Sequence, residues 1–215
     1  MTEQDWLECT APEWLLSFLH GKASERKLRL FACACCRQAW GLLADPRSRN
    51  AVEVAERFAD GLATREDLRA ARAGPVHPRF SGVAAEWVYD STSARHHSSD
   101  AAKCLAFASA PTPWKAAFKA ARLVQTQLLR CMIANPFRSV VVNPAWRSYT
   151  VGALAQAAYE DRVLPSGQLQ SDRLTVLADA LEDAGCDSAD ILGHLREQGP
   201  HVRGCWAVDL VLARV

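Results

Sequence analysis

The chain has 215 residues, 49% of them hydrophobic, and 25 Lys and Arg against 24 Asp and Glu give a formal net charge of +1. That length lets one large domain or two small ones fold without disulfide or metal staples, and the near-neutral balance excludes a protein coated in positive charge. No apolar run approaches the roughly 20 residues of a membrane span, and the acidic opening MTEQDWLECTAPEW lacks the basic and apolar regions of a secretory signal.

The expected location is therefore cytoplasmic, where the eight cysteines stay reduced. Helix punctuation is frequent along the chain. Thr10 and Glu13 have the spacing of a capping box, followed by an apolar face at Trp14, Leu15, Phe18 and Leu19 and a stop at Gly21. Ser24 opens a second helix that runs through LRLFACACCRQAW to about residue 43. Asp45 and Pro46 read as N-cap and first helical residue of a third, with Val52, Ala55, Phe58 and Leu62 as its stripe. Thr64 to Asp67 starts a fourth. GPVHPRFSG, residues 74–82, is the clearest breaker cluster and marks the end of an N-terminal unit.

Helices are expected next at 83–89 and 99–108, then a long one from Thr112 and Pro113 through WKAAFKAARLVQTQLLRCMIA. NPFRSVVVNPAW interrupts the pattern and holds the one convincing extended segment, near 139–142. Four more helices are expected at 150–162, 171–184, about 188–197 and about 201–213. The fold class that follows is all-α: a globular bundle of about ten helices, divided as 1–74, 83–134 and 135–215 or gathered into one compact domain.

LRLFACACCRQAW, NPFRSVVVNPAW and the closing TVLADALEDAGCDSADILGHLREQGPHVRGCWAVDLVL together resemble a functionally uncharacterised helical family expanded as paralogues in planctomycete bacteria. LADALEDAG is also faintly similar to the short "repeat-companion" domain of the same bacteria. The resemblance implies a lineage and supplies no active site. By analogy, such expansion suggests interaction modules.

Three cysteines in four positions raise the question of chemistry. On a helix, Leu28, Phe31, Ala32, Cys35, Ala39 and Leu42 fall within about 100° of one another, so Cys35 belongs to the core stripe. Cys33 lies about 160° from Cys35 and cannot share a metal with it. Cys33 and Cys36 form a C-x-x-C pair, but no second pair exists to complete a zinc site. Packing as small hydrophobes is the favoured reading.

A second set, Cys186, His194, His201 and Cys205, has ligand types that suit zinc at spacings that match no established pattern. Cys205, near an expected helix start and within reach of His201, is the best candidate for a nucleophile. Burial is the alternative for it. His96, His97, Asp100 and Cys104 are helical neighbours that read better as a capped, polar helix start than as a metal site. Nucleotide and hydrolase signatures are missing.

Charge is unevenly spread: residues 1–100 carry net −1, 101–159 net +7 with no carboxylate, and 160–215 net −5. Lys115, Lys119, Arg122 and Arg130 share one face of the long helix within about 80°. Three readings stay open: pairing with the acidic last third at Asp179, Glu182, Asp183, Asp187 and Asp190, ordinary solvation, or an external anionic partner. The expectation overall is a binding or scaffolding protein without catalysis or cofactor, with a protein partner, nucleic acid at the basic helix as first alternative, and thiol or metal-dependent activity at Cys205 and His201 as second.

Overall fold

The computed structural model describes residues 1–72 and 113–214. The breaker cluster at 74–82, the helices expected at 83–89 and 99–108, and the His96, His97, Asp100, Cys104 group lie outside the described residues. Among the described residues there are ten α-helices and one two-stranded antiparallel sheet, which makes the fold all-α. No described helix is long and apolar enough to cross a membrane. The chain gathers into two compact units, Glu3–Leu129 and Arg130–Val215, the division falling inside the long helix.

In the first unit α1 is Glu3–Glu8, α2 Pro12–Phe18, α3 Glu25–Gln38, α4 Pro46–Ala59, α5 Arg65–Arg72 and α6 Trp114–Met132, the last turn of α6 belonging to the second unit. Local chemistry sets most of the starts. The Ser24 hydroxyl accepts from the Lys27 amide at 3.4 Å, and the Asp45 carboxylate accepts from the Arg47 amide at 2.9 Å with Pro46 at the first helical position. Thr64 and Asp67 form a reciprocal box, with amide-to-side-chain bonds of 2.8 and 3.1 Å. The box expected at Thr10 does not form. Pro12 takes the first helical position, so Ala11 is the cap, Thr10 falls one residue outside, and the Glu13 carboxylate is instead bound by the Arg122 guanidinium.

The helix carrying the cysteine run is enclosed on every side, since Arg29 to Arg37 are all buried. The apolar side chains Leu30, Phe31 and Leu43 lie in this core with Trp6, Leu15, Leu19 and Val52, and each such burial contributes about 1.5–3 kcal/mol. Cys33 packs against α4, its sulfur 3.7 Å from the Val52 carbonyl oxygen. One ion pair is buried in the same place: the Arg37 guanidinium grips the Glu56 carboxylate at 2.5 and 2.7 Å, both side chains 4% exposed. Leu62, expected on the α4 stripe, is 67% exposed, because α4 stops at Ala59 and Gly61 turns the chain at φ 74°.

In the second unit α7 is Tyr149–Glu160, β1 Arg162–Val163, β2 Gln168–Leu169, α8 Ser171–Asp183, α9 Ala189–Arg196 and α10 Trp206–Val211. α8 packs against α7 and α9, and α10 against the same two. Tyr159, Leu174, Leu177, Leu181, Ile191, Leu195 and Val208 form its core. Two expectations change here. Val140 to Val142 run as irregular chain, and the sheet lies instead at β1 and β2. The expected helix from about residue 201 begins only at Trp206. His201 is held extended, its carbonyl accepting from the Leu169 amide at 2.8 Å beside the Gln168–Val202 bridge, and Gly204 then turns the chain at φ 87°.

Because Glu56→Gln removes the carboxylate charge that grips a buried guanidinium, it should cost the first unit about 3 kcal/mol in chemical denaturation, whereas Arg37→Met combined with Glu56→Leu should recover most of that loss. A Glu56→Gln protein as stable as the parent would contradict the assignment of this pair.

Candidate metal centre

The polar residues that cluster in the second unit come from three separate segments. The last turn of α6 supplies Cys131, the body of α9 supplies His194, and the loop leading into α10 supplies His201 and Cys205. One ligand atom from each, two sulfurs and two ring nitrogens, lie within 4.8 Å of one another, and no other such group of three or more His, Cys, Asp or Glu occurs among the described residues.

The separations are close to those of a tetrahedral ion. Zn–S bonds of about 2.3 Å and Zn–N bonds of about 2.0–2.1 Å place ligand atoms about 3.8 Å apart for two sulfurs, about 3.6 Å for sulfur and nitrogen and about 3.3 Å for two nitrogens. Here His194 Nε2 is 3.3 Å from Cys205 Sγ, and His201 Nδ1 is 3.9 Å from Cys131 Sγ and 4.0 Å from Cys205 Sγ. Cys131, His201 and Cys205 are 4%, 3% and 0% exposed, so these groups have exchanged water for one another.

Local bonding already selects the nitrogens that face inward. His201 Nε2 lies 3.1 Å from the Glu197 carbonyl oxygen, which can only accept, so Nε2 donates there and Nδ1 is the nitrogen turned to the sulfurs. The His194 ring stands edge-on to that of His201 with centroids 4.8 Å apart, and it packs against Trp206 at 5.0 Å. Its Nε2 points to Cys205.

Electrostatics distinguishes this group from the cysteine run. Burial pushes the Cys205 thiol up, but the Cys131 thiol and the two imidazoles more than offset it and hold Cys205 well below the usual thiol range. Burial pulls His201 down, yet its bond to Cys205 and the Glu197 carbonyl raise it overall. In α3 the balance runs the other way. Burial raises Cys33 and Cys35 far above the ordinary thiol value, and burial with the Glu56 charge pushes Cys36 up to about 12.

The residues singled out in the sequence are thus partly brought together. His194, His201 and Cys205 meet, and Cys131 joins them. Cys186 stays outside the group, buried where the chain turns from α8 into α9, with its amide bonded to the Leu181 carbonyl at 2.9 Å. Cys33 and Cys36 lie in the first unit. Cys131 was missed because nothing in its local sequence signals it, and its partner His201 is 70 positions away. Of the basic residues, Lys115 and Lys119 are exposed, Arg122 is paired with Glu13, and Arg130 is half-buried. Part of the acidic last third is partnered inside the second unit: Arg196 holds both Asp179 and Glu182, at 2.6 Å each, and Arg138 holds Asp190 at 3.1 Å.

Comparison of the chain with protein-family models, with curated proteins and with solved structures finds no match.

In metal-free native protein, a pH titration followed by the ultraviolet absorbance of thiolate should show a thiolate forming below the ordinary thiol range, which Cys205→Ser removes and Cys33→Ser leaves in place. Identical titrations in the parent and both variants would contradict the electrostatic difference.

Proposed function

We propose that this chain is a non-catalytic helical scaffold whose C-terminal unit is stapled by one zinc ion held by Cys131, His194, His201 and Cys205. The observation that carries the reading is the meeting of two sulfurs and two imidazole nitrogens from α6, α9 and the loop before α10, all within 4.8 Å. Sulfur and imidazole donors in a four-ligand set are those of structural zinc rather than of magnesium or calcium, which take oxygen. Four protein donors fill the tetrahedron and leave no position for water or substrate, in contrast with catalytic sites, which keep one open.

The same enclosure speaks against a thiol enzyme. Cys205 and His194 have the separation of a nucleophile and base, but Cys205 is 0% exposed and its lowered pKa is what a metal thiolate needs. The ion's work in this proposal is to fix the loop 197–205, which joins α9 to α10 and pairs with β2. A protein partner completes the reading. Trp14 and Tyr149, 71% and 93% exposed, are aromatic side chains of the kind enriched in protein contacts. Membership of the helical group expanded in planctomycete bacteria is part of the same proposal.

Protein purified without chelator should carry about one zinc per chain by elemental analysis, and metal at 100 times its Kd should stabilise the second unit by about 2.7 kcal/mol. Cys131→Ser and His201→Ala should lose the metal, whereas Cys186→Ser and Cys33→Ser should keep it. Metal retention in Cys131→Ser with loss in Cys186→Ser would overturn the ligand set.

A further inference from the structure

Both imidazoles of the zinc centre touch one residue outside it, Glu197. This residue caps the C-terminus of α9, its amide donating to the His194 carbonyl at 3.3 Å. Its own carbonyl accepts from His201 Nε2 at 3.1 Å, and also from the Gly199 amide at 3.1 Å. Its carboxylate oxygen Oε2 stands 3.9 Å from His194 Nδ1, the nitrogen opposite the Nε2 that faces Cys205. Glu197 is thus locked into the chain between the two histidines through its backbone, and its side chain falls on the His194 face of the helix at a three-residue spacing.

We propose that Glu197 is the positioning residue of this centre, its carbonyl orienting His201 and its carboxylate orienting His194. The inference rests on the zinc reading above. An imidazole that binds metal through Nε2 carries its proton on Nδ1 and presents a donor there; the Glu197 carboxylate is the acceptor set toward it. The present separation exceeds a hydrogen bond, and in this proposal the solvent-facing side chain, 69% exposed, turns to close it when the ring binds metal. Two effects follow from the contact. The ring is held at the angle that aims Nε2 into the site, and the negative charge makes that nitrogen a stronger donor to a cation. Outer partners of this kind change metal affinity about 10–100-fold, and solvent screening of an exposed carboxylate places Glu197 at the lower end.

Zinc affinity of the full chain, measured by competition with a chromophoric chelator, tests this for the parent, Glu197→Gln and Glu197→Ala, with the visible bands of the cobalt-substituted protein as a second readout. The alanine variant should bind zinc about tenfold more weakly and shift the cobalt bands, while its metal-free form unfolds at the parental temperature. The glutamine variant, which keeps an acceptor without the charge, should fall between. Parental affinity and unchanged cobalt bands in Glu197→Ala would overturn the role of Glu197 while the zinc reading stands. An equal drop in melting temperature of the metal-free form would also overturn it, by showing a structural role. A parent chain that takes up no zinc would remove the zinc reading itself and this inference with it.

Discussion

The arrangement of the C-terminal unit turns on a single constraint: two thiols and one imidazole are buried at one point with a second, half-buried imidazole beside them, and buried polar groups are costly unless each finds a partner. His194 Nε2 meets Cys205 Sγ at 3.3 Å, but His201 Nδ1 and the two sulfurs are weak mutual partners at 3.9 and 4.0 Å. In the proposed reading one divalent cation satisfies all four at once. The chain between α9 and α10 runs as a loop whose backbone partner is β2, and that path brings His201 and Cys205 to His194.

The two groups of cysteines show how little residue type alone decides. Cys33, Cys35 and Cys36 and the site residue Cys205 are all essentially inaccessible. In α3 no cation stands beside Cys35, and the Glu56 charge adds to desolvation at Cys33 and Cys36, so the thiols stay protonated and act as compact apolar filler. In the second unit two imidazoles and a second thiol face Cys205, and its pKa is lowered despite equal burial. The opposite directions of the two shifts follow from the neighbours of each thiol.

Much of the helical fold was legible because its signals are local. Ser24, Asp45 with Pro46, and Ser188 each cap the helix their sequence announces, with the side-chain bond in place. Where two local signals competed, the stiffer one won: the fixed φ of Pro12 displaced the box that Thr10 and Glu13 would have formed. Longer-range pairing was not legible. His201 was read as helical because the apolar run after it is helical, but its backbone is taken by Leu169, far upstream. Three of the four members of the candidate centre were visible as a set of suitable residue types, whereas the fourth, Cys131, sits in the longest described helix with nothing nearby to mark it. Cys186 stood in for it on grounds of sequence proximity, which tertiary structure does not respect.

The measurement that reaches the central claim most directly is X-ray absorption at the zinc edge of the protein as purified. The account predicts a four-coordinate ion with two sulfurs at about 2.3 Å and two nitrogens at about 2.0–2.1 Å. A first shell built of oxygen, a shell of four sulfurs, or a spectrum without bound zinc would contradict it.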